Sequence, residues 1–251
     1  MKKIKNPLIR RIPKELIGDW KKYLVVFLFL VLTIGFVSGM YVANESMITS
    51  ANEGVTKYKQ EDGHFELKKQ ADATLLSAIE TGEKADFKAT KTTLYENFFR
   101  NEEEDYNNDG KKDGTIRVFA KTKDINLACM LQGSFPQKAD EIAIDRMHAD
   151  NVGIKVGDTI TVSGETYKVV GLLAYVNYST LHEKTTDLMF DALKFDVAMV
   201  TQDGFDRLHK SIHYTYAWKY ETEPADEAGE KTRSDNFMRA LLTQVVVADN
   251  E

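Results

Sequence analysis

Residues 23–43 read YLVVFLFLVLTIGFVSGMYVA, twenty-one positions without a charge. As an α-helix this stretch spans about 31 Å, the thickness of a bilayer's hydrocarbon layer. It therefore reads as a transmembrane helix. A cleavable signal peptide has a shorter apolar region, about 7–15 residues, before a small-residue cleavage site. This run is too long for that.

The charges on either side differ in sign. Residues 1–22 carry eight basic residues, Lys2, Lys3, Lys5, Arg10, Arg11, Lys14, Lys21 and Lys22, against Glu15 and Asp19, a balance of +6. Residues 44–251 carry 25 basic and 37 acidic residues, a balance of −12. The excess of Lys and Arg before the helix places the N-terminus in the cytoplasm and residues 44–251 outside the cell membrane. Trp20, Lys21, Lys22 and Tyr23 at one end and Tyr41 at the other suit the two membrane interfaces. Within the span, Gly35, Gly39 and Ala43 recur at four-residue steps and form a small-residue face on which another helix can pack; coincidence is the alternative, since glycine is common in membrane helices.

Ahead of the span, Leu8, Ile9, Ile12, Leu16, Ile17 and Trp20 recur at three- and four-residue steps among basic residues. They read as an amphipathic segment on the inner leaflet, with an unstructured orienting tail as the alternative that Pro13 keeps open.

Beyond the span, residues 44–60 read as a stalk that continues the helix, and residues 61–251 as an α+β domain. Strands are expected at His64–Lys68, Thr115–Ala120, Asp196–Thr201 and Tyr214–Tyr220, and a hairpin at Ile160–Val170 turns at Ser163-Gly164-Glu165. Helices are expected at Ala71–Ile79, Asp203–Leu208 and Asp226–Leu242. The expected architecture is mixed sheets with flanking helices, arranged as two subdomains on a single N-terminal transmembrane helix.

The sequence carries few motifs of known chemistry. One cysteine, Cys129, excludes internal disulfides and cysteine metal clusters, and its place in the apolar stretch 127–131 suggests a small buried hydrophobe. Gly133-Ser134-Phe135 lacks the upstream partner of a nucleophile elbow. His182-Glu183 opens an H-E-x-x-H pattern that Thr186 fails to complete, and Gly229-Glu-Lys-Thr232 lacks the glycines of a phosphate loop. His64, His148, His182, His209 and His213 are scattered. His209 and His213 stand at helical spacing, which reads as surface rather than metal. The acidic exterior would repel nucleic acid.

The segment Asp105-Tyr-Asn107-Asn-Asp109-Gly110-Lys-Lys-Asp113 sets side-chain oxygens at loop positions 1, 3, 5 and 9 with glycine at 6, as a calcium loop does. Position 12 is Ile116, where such a loop needs a bidentate glutamate. The same residues serve a hairpin turn, which is the preferred reading.

Three stretches carry a family resemblance. Asp140-Glu-Ile-Ala-Ile-Asp145, Gly153-Ile-Lys-Val-Gly-Asp-Thr-Ile160 and Tyr167-Lys-Val-Val-Gly171 follow one another in the order and spacing of the extracytoplasmic core domain of FtsX/MacB-like ABC transporter permeases. Glu61-Asp-Gly-His-Phe65, Tyr95-Glu-Asn-Phe98, Asp187-Leu-Met-Phe190 and Val200-Thr-Gln-Asp-Gly-Phe205 are similar to its Gram-positive branch. The resemblance implies a non-enzymatic permease subunit that pairs with a second permease copy. It implies a MacB/LolD-type ABC ATPase partner that uses the ATP, with no cofactor on this chain, and a peptide or lipoprotein cargo. The pattern has four membrane helices; helices two to four and the ATPase-docking loop are not in this sequence. On this reading it is a fragment, a truncated frame or one half of a split subunit. A membrane-anchored ligand-binding or sensor domain, with or without calcium, is the alternative.

Overall fold

The computed structural model describes residues 17–81, 92–178, 180–184, 186–222 and 224–249. Of the amphipathic segment, the residues up to and including Leu16 lie outside them, while Ile17 and Trp20 are described and exposed. The chain divides into two units, residues 1–53 and residues 54–251.

The first unit is built on helix α1, which runs Trp20–Lys57 and so extends into the second. Among the described residues it is the one helix long and apolar enough to cross a membrane, and none of its most apolar window is buried. Such a helix satisfies every backbone donor and acceptor internally, the condition for crossing lipid. Thr33, a polar interruption, donates its hydroxyl to the Phe29 carbonyl at 2.8 Å and presents no unmatched group. A Cβ placed at Gly35 or Gly39 would meet nothing within 4 Å, so the small-residue face is open. Trp20, Lys21, Lys22, Tyr23 and Tyr41 are all exposed.

The second unit contains two sheets. The larger has strands β3 (Phe99–Asp105), β4 (Gly114–Ala120), β5 (Ala128–Gly133), β6 (Glu141–Asp145), β7 (Thr159–Val162), β8 (Glu165–Tyr175) and β9 (Phe195–Val200) in the order β5-β8-β6-β9-β4-β3-β7. Because β7 pairs with β3 at one side and with β8 at the other, the strands from β8 round to β7 close into a ring. The β7–β8 turn is Ser163-Gly164, with φ of 48° and 87°, the left-handed pair that a two-residue hairpin requires. Strands β4 and β9 run parallel, as do β6 and β8, while the remaining neighbours are antiparallel.

Both faces of this sheet are covered. Inside lie Ile116, Val118, Ile142, Ile144, Ile160, Tyr167 and Val200, packed with Ala149 of helix α3 (Arg146–Val152) and with Phe205 of helix α4 (Gln202–Asp206). Outside lie Phe119, Ala143, Leu173, Tyr175, Val197 and Met199. Strand β9 is central and buried at every position, which is why it reads as a nearly continuous apolar run.

The smaller sheet is antiparallel, β1 (Gly63–Leu67), β10 (Tyr214–Tyr220) and β2 (Thr92–Glu96) in the order β1-β10-β2. Helices α2 (Ala73–Thr81) and α5 (Glu227–Asp249) pack with it. Asp226 caps α5 by accepting the Gly229 N–H at 2.7 Å. Phe65, Tyr216, Trp218 and Phe237 form its aromatic core. Phe98 lies edge-on to Tyr214 and Tyr216, at 5.3 and 5.4 Å, and also packs against the interior of the larger sheet.

The chain that follows α1 is fastened to the lead-in of β5. Backbone N–H groups of Asn126 and Leu127 donate to the carbonyls of Lys59 and Tyr58, and Asn126 Nδ2 and Oδ1 bond the Glu61 carboxylate and its N–H at 2.5 and 3.0 Å. Tyr58 donates its hydroxyl to Cys129 Sγ at 2.8 Å. The small buried hydrophobe expected at Cys129 is corrected here. Its strand lies at the sheet edge, so the thiol is half-buried and serves as a hydrogen-bond acceptor. That bond and burial push the Tyr58 phenol's pKa up.

Candidate functional site

The acidic strand β3 decides where the polar chemistry lies. Its sequence, FRNEEED, shows no apolar alternation, yet Glu102 and Glu104 point inward and Glu103 outward, as strand geometry requires. The two inward carboxylates have different surroundings. Glu102 Oε1 accepts the Lys210 N–H at 3.0 Å and Oε2 accepts the Ser163 hydroxyl. Glu104, with no solvent exposure, has no hydrogen-bond partner for either oxygen.

Glu104 faces two other buried groups. His148, in the first turn of α3, is fully buried and brings Nε2 to 3.3 Å from Glu104 Oε1, an ion-pair contact rather than an aligned hydrogen bond. Its Nδ1 lies 2.7 Å from the Ala192 carbonyl, which can only accept, so that nitrogen carries a proton. Tyr106 sets its ring edge-on to the imidazole at 5.9 Å. Asp196 on β9 is also fully buried; its Oδ1 accepts the N–H groups of Asp145 and Val197 at 3.2 and 2.7 Å, while Oδ2 has no partner. One donor atom from each of Glu104, His148 and Asp196 lies within 4.8 Å of the other two.

Burial alone would lower the pKa of the His148 imidazole, but the Asp196 and Glu104 carboxylates outweigh it and bring it up to about 9. Burial pushes the Asp196 carboxyl far up, against the pull of His148, and raises that of Asp145. Removing a charge from water without full compensation costs several kcal/mol per ion. Within the cluster that cost is met in part by the His148–Glu104 contact and by the neutral form that burial favours at Asp196. Nothing in the scattered histidines announced this site; the available signals were an aspartate inside the apolar run Phe195–Val200 and the alternation of Glu102 and Glu104.

A second polar region is a cleft of about 520 Å³ lined by Glu61, His64, Glu66, Arg117, Tyr178 and Glu183 among others. Arg117 on β4 spans it. Its Nε donates to Asn101 Oδ1 at 3.0 Å, Nη1 to the Tyr178 hydroxyl at 3.0 Å and Nη2 to the Glu183 carbonyl at 2.9 Å. The guanidinium also lies over Phe99 at 4.4 Å and Phe195 at 5.1 Å. Lysine has neither the planar fork nor the stacking surface. Arg117→Lys is expected to lower stability by about 1–3 kcal/mol through the two lost donors, and to speed proteolysis within 176–193; unchanged denaturation and cleavage would refute the bridging role.

His64 approaches Glu61 Oε1 at 2.7 Å, and this bond raises the imidazole's pKa. His213 pairs with Glu66 at 2.7 Å and stacks on Phe99 at 4.6 Å. The helical spacing read for His209 and His213 is absent, because α4 ends at Asp206 and the chain turns into β10. His182 sits edge-on to Phe190 at 6.2 Å.

The Asp105–Asp113 segment closes on itself. Asp105 accepts the N–H groups of Asp109 and Gly110 at 3.1 and 2.8 Å, and Asn107 Oδ1 that of Asp109 at 2.8 Å. Asp109 accepts Lys111 N–H at 2.9 Å, and Asp113 accepts Tyr106 N–H at 3.2 Å and Asn107 Nδ2 at 3.3 Å. The oxygens that would converge on a cation are used as turn acceptors joining β3 to β4.

No protein-family model matches the chain, and no curated protein does. Among solved structures the chain is similar to the extracellular domain of the noncanonic ABC-type transporter YknZ from Gram-positive bacteria. The identity is 14% and the TM-score 0.35, over 71% of this chain and 92% of that one. It is also similar to the periplasmic region of MacB from Actinobacillus actinomycetemcomitans, at 7% identity and a TM-score of 0.37, over 69% of this chain and 76% of that one.

Proposed function

We propose that this chain supplies the first membrane helix and the extracytoplasmic domain of an ABC transporter permease of the FtsX/MacB type. Residues 1–22 lie on the cytoplasmic side, 23–43 cross the membrane, and the stalk 44–60 leads to an outside domain, 61–251, whose two sheets act as subdomains. The chain itself catalyses nothing. ATP is consumed by a MacB/LolD-type ATPase subunit, and its cycle is relayed outward for export of a peptide or lipoprotein or for mechanical signalling.

The observation that carries this reading is the ordered motif set, Glu141-Ile-Ala-Ile, Gly153 to Ile160 and Tyr167 to Gly171, on a chain that opens with a charge-flanked apolar helix. These motifs fall on β6, on the segment that leads from α3 into the start of β7, and on the first part of β8. Two features favour a relay over a passive anchor. Residues 58–61 are bonded to 126–129, so displacement of the chain after α1 pulls directly on the edge of the larger sheet. The open Gly35/Gly39 face lets a second helix approach closely.

The test is affinity isolation of the tagged chain from membranes of its own cells after cross-linking. An ABC ATPase and further permease helices are the expected companions, in amounts comparable to the chain. Recovery of the chain with neither would contradict the transporter reading and favour the self-contained sensor.

A further inference from the structure

We propose that Glu104, His148 and Asp196 bind a single divalent transition ion of the zinc class in the interior of the larger sheet. The three donors come from three rigid elements, β3, α3 and β9, which is how a precise site is built. One imidazole nitrogen and two carboxylates form a donor set that zinc accepts. Zinc bonds of about 2.0–2.1 Å at tetrahedral angles put ligand atoms about 3.3–3.4 Å apart. The His148 Nε2 to Glu104 Oε1 separation is 3.3 Å, and a carboxylate oxygen of Asp196 lies within 4.8 Å of a donor atom of each.

The orientation of each group fits the same end. His148 directs Nδ1 at the Ala192 carbonyl, 2.7 Å away, the outer bond that commonly fixes a ligating histidine and leaves Nε2 as the donor. Asp196 commits Oδ1 to two backbone N–H groups and leaves Oδ2 unpartnered. Glu104 has no hydrogen bond at either oxygen, only the ion-pair contact of Oε1 with His148, although Glu102, two residues earlier on the same face, is hydrogen-bonded at both. Each of three fully buried side chains thus carries an atom without a hydrogen bond, and one donor atom from each lies within 4.8 Å of the other two. A divalent cation there balances two carboxylates and a neutral imidazole, and gives each of these atoms a partner at once. Its structural consequence would be to tie the β3–β4 hairpin to α3 and β9.

The experiment uses the full chain in detergent, stripped with a chelator and then incubated with zinc alone. One zinc per chain is expected, retained through desalting. Cobalt in its place should give the visible absorption of a low-coordinate site containing one imidazole. His148→Gln and Asp196→Asn should each weaken zinc binding more than about 100-fold, beyond the loss typical of outer-shell partners, while Glu102→Gln should bind as the parent does. Absence of stoichiometric zinc on the parent chain overturns the proposal, and so does parent-like affinity in His148→Gln. Should that variant fail to fold, X-ray absorption of the zinc-loaded parent decides: a first shell with one imidazole and oxygens supports the site, and one without imidazole overturns it.

Discussion

Trp218→Ala is expected to remove about 3–5 kcal/mol of stability, the range for emptying a large buried aromatic site. Trp218 is 5% exposed and lies 4.4 Å, centroid to centroid, from Phe237 of α5, with Phe65 of β1 at 6.4 Å. Its ring also covers the backbone of Gly63, so closely that a Cβ there would stand 2.2 Å from the indole. Three of its neighbours are poorly placed to fill the vacancy: Gly63 has no side chain, and Phe65 and Tyr216 are already stacked at 5.5 Å. The loss therefore includes the cavity contribution as well as transfer. For a protein of this size it corresponds to a fall in Tm of about 6–20 °C. Chemical denaturation in detergent checks it, with Leu193→Ala, an exposed apolar position, as a control expected within about 0.5 kcal/mol of the parent. A Trp218→Ala loss as small as that of the control would mean that the small sheet is not held by its aromatic core.

Gly133→Ala is expected to be comparably damaging for a different reason. Gly133 ends β5 with φ of 77°, and a Cβ would sit 2.2 Å from the Val170 carbonyl oxygen. The left-handed backbone alone costs an alanine about 1–2 kcal/mol. The clash adds to this because it is with backbone of β8, which is paired to β5 on one side and β6 on the other and has no room to retreat. The expected total is about 3–4 kcal/mol, near the upper end for single substitutions. Gly110→Ala separates the two contributions: Gly110 has φ of 83° in an open loop with nothing within 4 Å, so it should show only the backbone cost. Equal losses at the two positions would show that β5 yields to the added methyl.

How far the sequence reached follows from what each element buries. Strands β4 and β10 and the β7–β8 hairpin bury apolar residues on at least one face and announce themselves by alternation or turn residues. On β4 the face opposite Ile116 and Val118 also carries a buried residue, Phe119, because a second apolar layer covers that face of the sheet. Strand β3 is not legible in the sequence because its inward residues are glutamates and FRNEEED shows no apolar alternation. The buried cluster was hidden for the same reason. It joins Glu104, His148 and Asp196 across 92 positions of sequence, and only the closing of the sheet through β3 and β9 brings them together. Helix α5 extends to Asp249, beyond the Leu242 expected from the pattern, since Val245 still packs against the small sheet's core.

A permease role of this type requires that residues 23–43 cross the bilayer once, with the acidic remainder outside. The direct measurement is labelling of intact cells by a membrane-impermeant maleimide, in a Cys129→Ala background carrying one new cysteine. Lys112→Cys, in the exposed β3–β4 turn, should label fully in intact cells, while Lys5→Cys should label only after permeabilisation. Labelling of Lys5→Cys in intact cells together with protection of Lys112→Cys would contradict the topology and the transporter reading built on it.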